Sequence, residues 1–193
     1  MHNKQLKSDG LIMAQQKTLK QILALLPELV RDVSDCEKSL DEDKQYLRRS
    51  YVRSLFAMIE GTIHCVKELE FAELYAHKKT SIPTLVALKE KMFDIDEKGK
   101  IKENTKFVKS VNNLRFMVNT FDRLYGKKLD LGIGKSIWTS FKSAIKIRNR
   151  ITHPKEPGDL NISDRELAIA KNVNEWFNVI VKDIIEHISD FYK

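Results

Sequence analysis

Apolar residues recur at intervals of three and four along four stretches of this chain, a spacing that fits amphipathic helices and little else. Leu19, Ile22, Leu23, Leu26, Leu29, Val30 and Val33 form the first stretch. Leu47, Val52, Leu55, Phe56, Ile59, Ile63 and Val66 form the second, whose pattern runs on to about His77. Phe107, Val108, Val111, Leu114, Met117, Val118, Phe121 and Leu124 form the third. Val173, Trp176, Phe177, Ile180, Ile184, Ile188 and Phe191 close the chain. Only 7 Gly and 4 Pro in 193 residues stand in the way of such helices, and 42% hydrophobic content suffices for a core. The expectation is an all-α helical bundle over residues 36–193, preceded by a helical extension over 1–35.

Local signals set the expected boundaries. Pro27 either kinks the first helix or opens a second one. Ser39-Leu-Asp-Glu42 reads as a capping box before a long helix. From there to His77 a straight helix would span roughly 58 Å, beyond the ~40 Å width of a compact domain of this size. A bend, break or protrusion is therefore expected, at Gly61 or between Glu68 and Leu74. Pro83 can open a short helix, and Phe93 to Ile101 alternates about Lys98-Gly99 as a small β-hairpin decoration. The third helix is expected over Thr105–Tyr125, stopped by Gly126. Pro154 stops the next near His153, and Ser163-Asp-Arg-Glu166 is a second capping box, before the closing helix.

Nothing approaches the ~20 apolar residues of a membrane span, and no long apolar run follows Met-His-Asn-Lys-Gln-Leu, so the expectation is a cytoplasmic chain with no membrane partner. Cys36 and Cys65 stand too far apart for a zinc framework and are expected to be free thiols. The five histidines are scattered singly. No metal or other cofactor is called for.

The charge is uneven. Residues 127–155 carry eight Lys and Arg against Asp130 alone, an excess equal to the +7 of the whole chain. Within that segment, Lys142 to Pro154 sets Arg148 in the arc of Ile137, Trp138, Phe141, Ala144, Ile145 and Ile151. Asn149 and His153, four apart, lie at the arc's edge in line with Lys135, Lys142 and Lys146. A cationic flank of this kind is either a solvated helix face or a seat for a polyanion.

The run Arg148-Asn149-x-x-x-His153, followed by Pro154 on the penultimate helix of an all-helical chain, resembles the signature of HEPN domains, and the likeness extends from about Leu40 to Tyr192. The resemblance implies a HEPN-like bundle and a homodimer. It also implies a metal-independent endoribonuclease in which Arg148, Asn149 and His153 of two copies face one another. Histidine titrates near neutrality and can take the proton of a ribose 2′-hydroxyl or return one to the leaving 5′-oxygen. Arginine offers a fork of donors to the negative charge growing on the phosphorane oxygens. Lys135, Lys142, Lys146, Arg150 and Lys155 would hold the RNA backbone. A toxin or phage-defence role, with an antitoxin or defence-system partner, follows from the same resemblance. Some members are neutralised by a small partner nucleotidyltransferase that adds adenylates to a tyrosine two residues after the histidine; that position is Lys155 here.

Other readings stay open. The chain can be a non-catalytic HEPN-type module that binds a nucleotide, RNA or a protein partner. A histidine before a proline suits the helix dipole without any function. Arg148 can be a structural bridge to Glu60, which is itself expected to be held by Arg49 and Arg53.

Overall fold

The computed structural model describes residues 2–77 and 80–191, with side chains described over 16–40, 42–77 and 80–190. In chain order the elements are α1 (His2–Lys38), α2 (Gln45–His77), α3 (Ile82–Leu88), β1 (Lys91–Ile95), β2 (Ile101–Thr105), α4 (Ser110–Tyr125), α5 (Ser136–Thr152) and α6 (Asp164–Phe191). Short 3₁₀ turns lie at Ser39–Glu42 and Pro157–Leu160. Among the described residues the only sheet is the antiparallel pair β1-β2, so the chain is all-α with a hairpin added. No helix of the described residues is long and apolar enough to cross a membrane. The chain forms two compact units, one from Met1–Ala24 and Ile63–Gly126, the other from Leu25–Thr62 and Lys127–Lys193.

In the second of these units α5 and α6 pack together, and both are tied to the early turns of α2, α5 through Arg53 and Glu60 and α6 through Arg48. Its core includes Val52, Leu55, Phe56, Ile59, Phe141, Ala144, Ile151, Val173, Phe177 and Ile184. Trp138, Phe141, Trp176 and Phe177 form a continuous aromatic cluster with ring centroids 5.3–6.4 Å apart, the tilted spacing that aromatic quadrupoles favour. The expected face of α6 is buried at Val173, Phe177, Ile180, Ile184 and Ile188. The side chain of Phe191 lies outside the described residues.

Several boundaries differ from the sequence reading, each for a local reason. Helix α1 is unbroken from His2 to Lys38 with Pro27 inside it. Ser39 therefore follows a helix instead of starting one, and its hydroxyl donates to the Asp35 carbonyl (2.9 Å), so the expected first capping box does not form. Asp43, in the left-handed region at φ 43°, turns the chain into α2. That helix continues through Gly61, where a bend was expected. A Cβ there would fall 2.5 Å from Leu29 Cδ1, so the glycine serves a close approach of α1 to α2 rather than a break. The second capping box forms as expected: Ser163 Oγ accepts the Glu166 amide (3.3 Å) and Glu166 Oε2 accepts the Ser163 amide (3.0 Å).

The loop that follows His153 is held from α2 at its far end, at Leu160 and Ile162. Gln45 exchanges two hydrogen bonds with the backbone of Ile162 (3.1 and 2.8 Å). Arg48 donates to the Ile162 carbonyl (2.9 Å) and Arg49 to that of Leu160 (2.9 Å). Arg48 also bridges Asp43 and Asp164.

The other unit is built on the later turns of α2 with α3, the hairpin and α4. Ile63, Val66, Leu69, Leu74, Leu88, Leu114, Met117, Val118 and Phe121 fill it. Gly126, at φ 67°, ends α4 by donating its amide to the Asp122 carbonyl (2.7 Å). The hairpin is longer than Phe93–Ile101. Lys106 closes it by donating its amide to the Glu90 carbonyl (2.7 Å), which delays α4 to Ser110 and leaves Phe107, expected on that helix's apolar face, 88% exposed.

Glu70 on α2 is fully buried, and neither of its carboxyl oxygens has a hydrogen-bond partner. Desolvation pushes its pKa well above the ordinary 4.5, against the opposing pull of Lys67 and Arg123. The folded state then keeps a proton that the unfolded state releases, so stability falls as pH rises above about 4.5 towards the raised pKa. Glu70→Leu is expected to stabilise the protein by about 1–3 kcal/mol at pH 8, with the gain shrinking below pH ~4.5. Urea unfolding at the two pH values measures this. A destabilised variant at pH 8 would contradict it.

Candidate functional site

Helix α5 carries Arg148 to the edge of the second unit's core. The guanidinium lies over the Phe56 ring, 5.1 Å from its centroid, and is ion-paired with Glu60. The Arg148 side chain is 21% exposed and that of Glu60 48%. Phe56 supplies a fully covered aromatic floor whose negative face attracts the cation. Arg53, Phe56 and Glu60 are spaced three and four apart on α2, so they share the stripe that meets the end of α5.

The end of α5 is closed by side chains. Arg53 donates to the Ile151 carbonyl (3.1 Å) and the Thr152 hydroxyl to that of Arg148 (2.7 Å). His153 caps the helix at φ −128°, ψ 61° while its amide donates to the Asn149 carbonyl (3.0 Å). Guanidinium groups at this end offset the negative pole of the helix. Asn149 and His153 are exposed, on the flank that also carries Lys142 and Lys146. Among the described residues neither the Asn149 nor the His153 side chain makes a hydrogen bond or ion pair.

Within one copy, then, Arg148 turns to α2 while Asn149, about 100° further round the helix, starts the open flank. The remaining predicted residues divide. Lys142, Lys146 and Lys155 are exposed. Lys135 stands before the first turn, roughly 20 Å of helix from Arg148, and is paired with Asp130 (2.8 Å). Arg150 is turned inward to the loop, donating to the carbonyls of Asp159 (2.9 Å) and Asn161 (2.8 Å) and pairing with Glu166 (2.7 Å). Arg49 and Arg53, expected to hold Glu60, hold backbone carbonyls instead. Phe56 was read from the sequence only as part of an apolar face, although its spacing from Glu60 was available as a signal.

No group of three His, Cys, Asp or Glu side chains among the described residues comes together to hold a metal ion. Cys36 and Cys65 are free thiols; Cys36 Sγ lies 3.4 Å from Ser54 Oγ, and burial raises the Cys65 thiol pKa. Comparison with family models, curated proteins and solved structures finds no match.

Proposed function

We propose that the chain is a metal-independent endoribonuclease acting as a homodimer, of the HEPN type, with a toxin or phage-defence role and an antitoxin-like partner. The observation that carries this reading is the Arg148 guanidinium, set on Phe56 and fixed by Glu60 at the end of a helix whose last residues present Asn149 and His153 to solvent. A fixed arginine fork can meet charge on a phosphate without reorganising. An imidazole open to solvent is available to a strand lying across the lysine flank.

In the proposed reaction one His153 takes the proton of a 2′-hydroxyl, whose oxygen bonds to the adjacent phosphorus. The bond from phosphorus to the 5′-oxygen breaks, and that oxygen receives a proton from the second copy's His153. The products are a 2′,3′-cyclic phosphate and a 5′-hydroxyl. Incubating the protein with RNA in EDTA tests the proposal. Cleavage with cyclic phosphate ends is expected, and intact RNA across a range of pH and ionic strength would overturn it.

The Arg148–Glu60 pair favours a second reading, a binding module without strand scission, because a carboxylate already occupies part of the fork. On either reading Lys142→Gln with Lys146→Gln should weaken RNA binding and lower the slope of log affinity against log salt by about 2, since each lysine neutralises one phosphate. An unchanged slope would remove both lysines from the interface.

A further inference from the structure

The hairpin is anchored firmly at its base and bare beyond it. Lys67 on α2, almost wholly buried, donates to Glu90 Oε1 (2.7 Å) and to Asn113 Oδ1 (2.8 Å), and Asn113 also donates to Glu90 (2.8 Å). Lys89 pairs with Glu68 (2.5 Å) over the Phe71 ring. The tip is equally fixed, since Asp96 Oδ1 accepts the amides of Lys98 (2.9 Å) and Lys100 (2.8 Å), and Gly99 supplies the turn at φ 72°. Between base and tip, Phe93, Ile95 and Ile101 share one face and are 52%, 71% and 77% exposed. A two-stranded ribbon with an apolar face left in water is marginal by itself, and apolar clusters of this kind mark contact surfaces.

The backbone phase says which edge is open. Asp96 donates to Lys100, and Lys106 to Glu90, so the even-numbered residues of β1 face β2. Lys91, Phe93 and Ile95 direct their N–H and C=O groups outward. The Ile95 amide is met there by the Asp94 carboxylate of the same strand (2.8 Å), as an outward amide can be.

We propose that this edge pairs with the same edge of a second copy, antiparallel about Phe93, to give a four-stranded sheet in the order β2-β1-β1-β2. In that register Phe93 faces Phe93, Lys91 faces Ile95 and Met92 faces Asp94, so all five residues of β1 pair with no like charges opposed within the strand; Glu90 and Asp96 meet just beyond its ends. Shifting the centre to Asp94 sets two carboxylates against each other. The β2 edge has no register of comparable length: centring on Lys102 or Glu103 opposes like charges, and centring on Asn104 pairs only residues 103–105 of the strand. Residues 91–106 hold five lysines against four carboxylates, a balance suited to another copy of the ribbon rather than to a polyanion. Pairing joins the two apolar faces into one stripe through the aromatic pair. The surface belongs to the hairpin's own unit and does not rest on the ribonuclease reading.

Phe93→Pro is the direct test, because it removes an outward N–H and spares the hairpin's own ladder. Phe93→Lys, which opposes two ammonium groups, is the second variant. Sedimentation equilibrium of the full chain should show each variant at half the mass of the parent assembly, with unchanged circular dichroism. A monomeric parent, or variants that keep the parent's mass, would overturn the proposal. Register is read separately with a short bis-maleimide. Phe93→Cys should cross-link between copies and Ile95→Cys should not, measured above the background of Cys36 and Cys65. Equal cross-linking at both positions, or none at Cys-substituted position 93, would also overturn it.

Discussion

Under the proposed reaction, His153→Ala is expected to lower RNA cleavage by about 10²–10⁴-fold, the contribution typical of a general acid or base, with no change in thermal midpoint. The second half follows from its surroundings. The imidazole is exposed, and the cap it provides uses the backbone amide, which alanine retains. Arg148→Ala differs in kind. It removes the cation over Phe56 and the partner of Glu60, so it should cost about 1–2 kcal/mol of stability as well as activity. Arg148→Lys keeps the charge but loses the planar fork, and is expected to recover stability before activity. Rates and melting curves on the same preparations separate these effects. Cleavage undiminished in His153→Ala would remove the histidine from the chemistry.

Lys67→Ala is expected to destabilise the protein by about 2–3 kcal/mol, less than breaking a fully buried charged pair because the Glu90 side chain left behind is 32% exposed. That corresponds to roughly 4–12 °C in melting temperature for a chain of this length. Burial opposes the charge on Glu90, yet the Lys67 ammonium and the Asn113 amide outweigh it and hold the carboxyl below its ordinary pKa of 4.5. Glu90 thus contributes stability that is present above about pH 4.5 and lost as pH falls through its lowered value. Lys67→Ala should flatten that acid arm. Lys67→Met with Glu90→Gln, which removes both charges, should regain most of the loss. Urea unfolding across pH 3–8 reads both effects, and a Lys67→Ala midpoint within ~2 °C of the parent would refute the network's role.

Much of the helical architecture could be read in the sequence, because helix periodicity and stop signals are local. Gly126, Pro154 and the Ser163–Glu166 box act within one turn of their own position, and each fell where expected. The errors came from signals with two possible users. The Ser39–Glu42 pattern suits a helix start, but α1 persists through Lys38 and claims Ser39 first. Gly61 can break a helix or admit a neighbour, and only the position of Leu29 decides. Phe107 matches the periodicity of α4, yet the closure of the hairpin at Lys106 takes precedence.

The same limit applies at the candidate site. That Arg148 would meet Glu60 was foreseeable from two helical faces. That Arg150, two residues on, would be consumed by backbone carbonyls was not, because those acceptors carry no side-chain signal. Lys67 offered still less, since a lysine on an apolar stripe looks like any snorkelling residue until Glu90 and Asn113 are in place.

The grip that Gln45, Arg48, Arg49 and Arg150 keep on residues 158–162 has a consequence for how this molecule ages in solution. A proline- and glycine-bearing stretch at the surface would ordinarily be where a protease makes its opening nick. Here it is stitched at successive carbonyls, so digestion should begin elsewhere and the bonds between Gly158 and Ile162 should survive among the late fragments.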